Sequence, residues 1–283
     1  MDSALLGMLN DICGQDIVNS ILKSLSINLF SDDGTYSHAL GLVRDLHNTV
    51  IKPFALMLMF IYFMLAVVDK LSAENFTWEQ LWRQMAMLLV AKFLIDHGFE
   101  ILDILFNIGM SLAHEIQESA GLYSGAADEG VEHAKELIEG FKTSLGLTGT
   151  WTSWLGDIIL FAFLIIPWLL SWIMRLCVSI ICYTRVIEIY VRATFAPVAL
   201  SDFFHSGLQG SGWRFLKNFL AVCLQGGVIL VIGVVFSALF EELVVDETNM
   251  FTFIGVYLAF FASAIMLMFK SLSITKELVG SNG

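Results

Sequence analysis

Residues 53–68 read PFALMLMFIYFMLAVV, an unbroken apolar run without a charged side chain. A second run, ILFAFLIIPWLLSWIM, occupies residues 159–174. A helix of about 20 apolar residues crosses the hydrocarbon core of a bilayer, where every backbone N–H and C=O must be bonded internally. Apolar side chains surround both runs on all faces, so lipid or other buried helices must cover them. Both runs therefore predict membrane-spanning helices.

The composition of the whole chain agrees with these two runs. Of its 283 residues, 57% are hydrophobic and 15% are charged, whereas soluble domains average about 45–50% and about 25%. Three further segments are long and apolar enough to be spans, although the segment at 81–105 is the most polar. The sequence predicts an all-α integral membrane protein with about five transmembrane helices. Their approximate bounds are 50–68, 81–105, 154–174, 218–240 and 250–269.

The charges between these spans predict an orientation. With the N-terminus outside the cytoplasm, the inside pieces carry nine Lys and Arg residues and the outside pieces carry five. Cytoplasmic loops are enriched in Lys and Arg, so we expect an outside N-terminus and a cytoplasmic C-terminus. We expect an extracytoplasmic segment with amphipathic helices (1–49), followed by transmembrane helices one and two (50–105). An extracytoplasmic loop (106–153) follows, with an acidic amphipathic helix at Asp128–Thr143. Transmembrane helices three to five (154–269), with a basic cytoplasmic segment at 175–217, and a cytoplasmic tail (270–283) complete the chain.

The second predicted span carries an unusual set of ionisable residues: Lys92, Asp96, His97, Glu100 and Asp103. The three carboxylates recur at helical spacing and share one face, and Lys92 is placed to pair with Asp96. Ionisable groups at membrane depth are costly and usually face water or a bundle interior. Three interpretations stay open: a wetted or oligomer-facing helix end, a proton or ion pathway, and a metal site. Two ligands on one helix are too few to predict a metal.

A second polar group lies in the predicted cytoplasmic segment. Arg185, Glu188 and Arg192 are three and four residues apart, which predicts an ion-pair ladder on one helix face. With Arg214 and Lys217 they form a basic face that suits either an ordinary cytoplasmic helix end or a contact site for a partner or nucleic acid. No nucleotide-binding, hydrolase or metalloprotease motif occurs in the sequence, so we predict no enzyme activity, no catalytic residue, no metal and no cofactor.

The last three predicted spans also contain small residues and prolines, which predict helix packing and helix bends. Small residues four or seven apart allow two helices to approach closely, within one subunit or between subunits. We expect Pro167 to kink the third span and Pro197 to end the long helix that continues from it. The predicted packing residues are Gly226, Gly233 and Ser237 in the fourth span, and Gly255, Ala259 and Ser263 in the fifth.

From Tyr183 to Phe240 the sequence resembles a known family. The stretches are YTRVIEIYVRATFAPVALSDFF and GSGWRFLKNFLAVCLQGGVILVIG, which are similar to TrbL-type conjugal transfer proteins, the polytopic membrane subunits of type IV secretion systems. The motifs cover about a fifth of the chain, and the hydropathy pattern covers most of it. The chain lacks the long Gly/Ser-rich tail of many relatives and looks closer to the short forms on Gram-positive conjugative elements. The matching positions are Arg185, Glu188, Arg192, Pro197, Trp213, Arg214 and Lys217.

The resemblance implies a multi-pass subunit of the bacterial plasma (inner) membrane that forms part of the channel or scaffold of a conjugative secretion system. Its implied partners are membrane lipid, bitopic scaffold subunits, a secretion ATPase and, transiently, a relaxase-bound DNA or protein substrate. The resemblance alone implies a homo-oligomeric ring of five subunits. The alternatives are an ion- or proton-coupled transporter that uses the polar face of the second span, and an accessory assembly protein without its own pore.

Overall fold

The computed structural model describes residues 29–30, 36–71, 78–121, 153–202, 210–245 and 250–280. Helices dominate these ranges, and no strand occurs within them. The predicted acidic helix Asp128–Thr143 lies outside the described residues, and so do residues 1–28 of the predicted N-terminal segment. The helices are α1 (Ser37–Leu46), a π-helical segment (His47–Ile51), α2 (Lys52–Leu71), α3 (Trp78–Asp96), α4 (Gly98–Gly121), α5 (Ser153–Ser201), α6 (Ser211–Val245) and α7 (Met250–Val279).

Four helical segments in the described ranges are long and apolar enough to cross a membrane. This finding confirms the all-α membrane fold. The second predicted span, 81–105, is not among the four, because charged side chains interrupt it and the helix breaks at His97. The total of five spans and the orientation of the termini stay predictions. The four segments are Ser37–Asp69, Trp168–Ser201, Ser211–Phe236 and Leu258–Val279.

Helix α5 is longer than any bilayer crossing requires. It has 49 residues, against the about 20 that span a hydrocarbon core. The helix continues through Pro167 and Pro197 and ends only at Ser201, so the prediction that Pro197 ends it is wrong. The side chain of Pro167 itself lies outside the described set, and the predicted kink there stays a prediction.

Polar side chains and glycine set the ends of two helices. The backbone N–H and the hydroxyl of Ser211 both donate to Oδ2 of Asp202, at 2.9 and 2.8 Å. Asp202 thus satisfies one of the N–H groups that the first turn of α6 leaves without an intrahelical acceptor. Helix α7 ends at Val279, and the following Gly280 has a φ of 66°, the left-handed conformation that closes many helices.

The chain divides into two compact units. The first comprises Met1–Ser26, Ala113–Tyr183 and Gly227–Ser271. In its described part, the end of α4 and helices α5, α6 and α7 bury one apolar core. Phe236 of α6 stacks on Phe260 at 4.4 Å between ring centroids and meets Phe261 edge-on at 4.9 Å. The buried residues of this core are Ala113, Met174, Val178, Ile181, Cys182, Ile229, Leu230, Phe236, Phe261, Ala264 and Met268.

The second unit comprises Ile27–Leu112, Thr184–Gly226 and Leu272–Gly283, and it contains two separate apolar clusters. Cluster I joins α1, α4, α5 and α6. Cluster II joins the α2–α3 hairpin to the end of α5. The buried residues of cluster I are Leu29, Leu40, Leu102, Phe106, Ile189, Tyr190, Ala193, Ala196, Phe219, Val222 and Cys223. Those of cluster II are Ala55, Met59, Ala91, Ile95 and Leu200.

Two hydrogen bonds in the second unit join segments that are far apart in the sequence. The hydroxyl of Tyr190 donates to the carbonyl of Leu29 at 2.8 Å, and Nδ1 of His47 lies 3.0 Å from the carbonyl of Ala193. The sequence placed residues 1–49 outside and 175–217 inside, on opposite sides of a hydrocarbon core about 30 Å thick. Both assignments stay predictions.

Candidate functional site

The polar residues of the second predicted span gather where α3 meets α4. The helix breaks at His97, although backbone bonds from His97 to Phe93 and from Ile101 to His97, both 3.0 Å, keep the two helices in sequence. Asp96, the last residue of α3, lies 3.0 Å from Nζ of Lys52 at the start of α2. The predicted partner of Asp96 was Lys92, an exposed residue. The structure instead pairs Asp96 with a lysine of the preceding helix, so the ion pair ties α2 to α3.

Glu100 and Asp103, the remaining carboxylates of this face, make local contacts. Glu100 accepts from Nδ1 of His97 at 2.9 Å, as their spacing of one turn allows, and its side chain is 74% exposed. Asp103 accepts a hydrogen bond of 3.2 Å from Asn107. Within the described ranges no three His, Cys, Asp or Glu side chains are grouped closely enough to hold a metal ion. In this arrangement the carboxylates serve as local hydrogen-bond acceptors.

Arg185 occupies a different environment from the one its sequence pattern predicted. Only 5% of it is exposed. Its Nε donates to the carbonyl of Val222 at 3.1 Å and its Nη2 donates to the carbonyl of Cys223 at 2.9 Å, so the guanidinium lies against the backbone of α6. A buried group of this kind is not an accessible contact for a cytoplasmic partner. Arg185 therefore joins α5 to α6.

Two glycines allow α6 to pack closely against its neighbours, Gly226 at the contact with α5 and Gly109 at the contact with α4. A β carbon on Gly226 would lie 2.6 Å from Nη1 and 2.8 Å from Cζ of Arg185, so the guanidinium fills the space that this glycine leaves. A β carbon on Gly109 of α4 would lie 2.6 Å from the carbonyl oxygen of Cys223. Helices α4, α5 and α6 thus meet around one short stretch of α6 backbone.

Glu188 and Arg192 form the ion pair that their spacing predicted. Nε of Arg192 donates to Oε1 of Glu188 at 3.0 Å, and Nη2 of Arg192 contacts the same oxygen. Both side chains are partly buried. An arginine engaged by a neighbouring carboxylate offers less free positive charge to a phosphate or an acidic partner. Of the predicted basic face, Arg185 is therefore buried and Arg192 is paired with Glu188.

Arg214 and Lys217 remain as the more accessible cations of the predicted basic face. Both lie in the first two turns of α6, where Arg214 is exposed and Lys217 is half-buried. The ammonium of Lys217 lies 6.0 Å from the ring centroid of Trp213, at the outer limit of a cation–π contact. Trp213 is itself exposed. An aromatic ring beside two cations is typical of the boundary between membrane and water.

A buried histidine takes part in a contact that the sequence did not reveal. Pro197 has no N–H, so the carbonyl of Ala193, four residues earlier in α5, lacks its usual helical donor. Nδ1 of His47 lies 3.0 Å from that carbonyl oxygen, and His47 is 1% exposed. The imidazole, held edge-on to Phe99 at 5.4 Å between ring centroids, replaces the missing backbone donor. This substitution explains how α5 continues beyond Pro197.

The small residues of α6 and α7 fall in two different environments. Gly226 and Gly233 of α6 are buried, and Gly226 packs against Arg185. In α7, Gly255, Ala259 and Ser263 are exposed, and nothing lies within 4 Å of a β carbon built on Gly255. The side chain of the remaining predicted member, Ser237, lies outside the described set. The α6 glycines therefore pack within the chain, whereas the α7 stripe lies on the surface of a single chain.

Comparison with known proteins gives one positive result. A family model described as "TrbL/VirB6 plasmid conjugal transfer like protein" matches residues 33–197, which is more than half of the chain. The match includes α1 to α4 and ends at Pro197, so it covers Arg185, Glu188 and Arg192 but not Arg214 or Lys217. No curated protein and no solved structure matches the chain significantly.

Proposed function

The chain belongs to the TrbL/VirB6 family of plasmid conjugal transfer-like proteins, and from this premise we propose that it is a channel or scaffold subunit that supports transfer of relaxase-bound DNA or protein across the membrane. Members of this family are inner-membrane components of type IV secretion systems, and the helices found here fit a multi-pass protein of the plasma membrane. The family match over residues 33–197 is the observation that carries the proposal. Its role is non-enzymatic, and it takes neither metal nor cofactor.

The contact with a secretion ATPase or an arriving substrate is assigned to the start of α6. Of the predicted basic residues, Arg185 is buried and Arg192 is paired with Glu188. The accessible positive charge therefore lies at Arg214 and Lys217, beside the exposed ring of Trp213. Positive charge at this position suits phosphates or an acidic protein surface, and such contacts act mainly on association rate and specificity.

Ion- or proton-coupled transport receives less support from the same geometry. A proton relay needs carboxylates that are shielded from water and not already neutralised. Lys52 neutralises Asp96 at 3.0 Å, and Glu100 is 74% exposed. These contacts favour a structural role for the polar residues between α3 and α4.

Self-association is assigned to the exposed small-residue stripe of α7. Gly255, Ala259 and Ser263 would let an α7 helix of a second copy approach closely. Because the stripe is exposed in the single chain, it is open to contact between subunits, whereas the glycines of α6 are already occupied. A ring of such subunits agrees with a channel role, and the pentamer count rests on the resemblance alone.

Crosslinking followed by purification of the tagged chain from its native host tests the proposal. We expect bitopic scaffold subunits and a secretion ATPase to co-purify. Replacing Arg214 and Lys217 together by Gln should reduce recovery of the ATPase, while Lys92→Gln, a matched change at another exposed cation, should not. Recovery of no secretion-system subunit from wild-type cells that are competent for conjugation would overturn the proposal.

A further inference from the structure

Three helices of the second unit are irregular. The π-helical segment His47–Ile51 ends two residues before Pro53, which cannot donate to the carbonyl four residues earlier. The N–H of Lys52 instead bonds to the carbonyl of His47, five residues back. Helix α3 gives way to α4 at His97, next to Gly98. Helix α5 contains Pro197. Two of these irregularities follow from proline, and the third lies beside a glycine.

These irregularities separate the two apolar clusters of the second unit. Along the first helix, Leu40 before the π segment packs in cluster I, and Ala55 after it packs in cluster II. Along α3 and α4, Ile95 before the break packs in cluster II, and Leu102 after it packs in cluster I. The division at Pro197 is the same, with Ala196 in cluster I and Leu200 in cluster II. Leu216 of α6 packs against both clusters.

The contacts on either side of this boundary have distinct roles. The ion pair between Lys52 and Asp96 joins the open ends of the α2–α3 hairpin and so makes the hairpin one body. The contact of His47 with the Ala193 carbonyl ties the π segment to α5 just before Pro197. At Gly98 a β carbon would lie 3.0 Å from Cδ1 of Leu200, so the missing side chain lets the end of α5 sit against the break.

We propose that the α2–α3 hairpin, with the cluster II residues at the end of α5, tilts as one body about a hinge formed by the π segment, the His97 break and Pro197. Sharp bends in helices occur at prolines, π segments and similar interruptions, and hinges are short segments between rigid bodies. His47 is the positioning residue of this hinge, because its bond to Ala193 fixes the start of the π segment against α5 just before Pro197. The inference concerns motion within the second unit and does not depend on which substrate the protein transfers.

Distances between pairs of spin labels on the purified full chain in lipid nanodiscs test the hinge. The four native cysteines are first replaced by Ala. Labels at Met64 on the hairpin and Asn107 on α4 report across the hinge, and both positions are exposed. The control pairs are Met64 with Val90 inside the hairpin, and Leu42 with Asn107 inside the cluster I body.

With His47→Ala we expect a second population of the Met64–Asn107 distance, shifted by about 5 Å or more, which is about one helical turn. Both control distances should stay unchanged. His47→Gln keeps a side-chain N–H donor and should restore the single population. Pro197→Ala returns a backbone donor to the Ala193 carbonyl, so His47→Ala should have a smaller effect in that background.

Two results would overturn the hinge. An unchanged Met64–Asn107 distance in His47→Ala would show that the contact of His47 with Ala193 does not position the hairpin. Equal broadening of all three distances would show that loss of His47 loosens the whole unit and that the hairpin does not move as a body.

Discussion

Replacing Gly226 by Ala should destabilise the protein, although alanine is the better helix former. The new β carbon would lie 2.6 Å from Nη1 and 2.8 Å from Cζ of Arg185. The guanidinium must therefore move, and its bonds to the carbonyls of Val222 and Cys223, now 3.1 and 2.9 Å, must lengthen or break. Arg185 is buried, so water cannot replace those acceptors readily.

The size of the effect follows from these contacts. Each hydrogen bond to a charged group contributes about 1.5–3 kcal/mol, so loss of both costs about 3–6 kcal/mol. Alanine in a helix interior regains about 1 kcal/mol relative to glycine. The net loss for Gly226→Ala is about 2–5 kcal/mol. Gly41→Ala in α1 is the matched control, because nothing lies within 4 Å of its β carbon, and it should stabilise the protein by about 1 kcal/mol.

Thermal unfolding in detergent, followed with a dye that fluoresces on reaction with thiols, measures both variants. The dye reports exposure of the buried Cys182 and Cys223. A double variant, Arg185→Met with Gly226→Ala, should be less destabilised than the sum of the two single changes, because the shorter neutral side chain no longer occupies the space. A Gly226→Ala protein as stable as the wild type, or stabilised like Gly41→Ala, would refute the assignment of Arg185 to this contact.

Three further predictions concern other contacts. Asp202→Ala removes the acceptor of Ser211 at the start of α6 and should lower the stability by about 0.5–2 kcal/mol in the same thermal assay, and an unchanged melting temperature would show that the cap is dispensable. Ala259→Leu enlarges an exposed residue of α7, so it should reduce oligomer size in native mass spectrometry without lowering the melting temperature. An unchanged oligomer would show that this stripe is not the contact between subunits. Glu100→Gln should leave conjugative transfer near the wild-type frequency, because Glu100 is exposed and bonded to His97. Loss of transfer at normal protein level would favour the ion-pathway interpretation.

Much of the helical architecture could be predicted from hydropathy. The apolar run at 53–68 lies in α2, and the fourth and fifth predicted spans lie within α6 and α7. These predictions succeed because an all-round apolar helix has few alternatives to a membrane. The second span was harder to predict, since its charged residues coincide with a break at His97 that local spacing does not mark.

The contacts of the candidate site were less predictable because their partners are far apart in sequence. The spacing of Glu188 and Arg192 predicted their ion pair, which is a local contact within one helix. The same reasoning could not place Arg185 on the carbonyls of α6, because those acceptors are backbone atoms with no side-chain signature. The one available signal was the pair of glycines at 226 and 227, which opens the α6 backbone to a large side chain.

The contact of His47 could not be predicted for the same reason, because its partner is far away in the sequence. A proline within an apolar helix indicates that a carbonyl four residues earlier needs a donor, so Pro197 pointed to Ala193. The sequence did not show that the donor lies 146 residues away, in the π-helical segment that precedes α2. A second contact of this kind joins the hydroxyl of Tyr190 to the carbonyl of Leu29, 161 residues away in the sequence.

A mating assay tests the central claim, that the protein is a working subunit of a conjugative secretion system. In donor cells that lack only this gene, transfer of the conjugative element should fall below detection, and the full-length chain supplied in trans should restore it. The variant in which Gln replaces Arg214 and Lys217, present in the membrane at wild-type level by blot, should restore transfer only partly. Wild-type transfer frequency in the deletion strain would contradict the account.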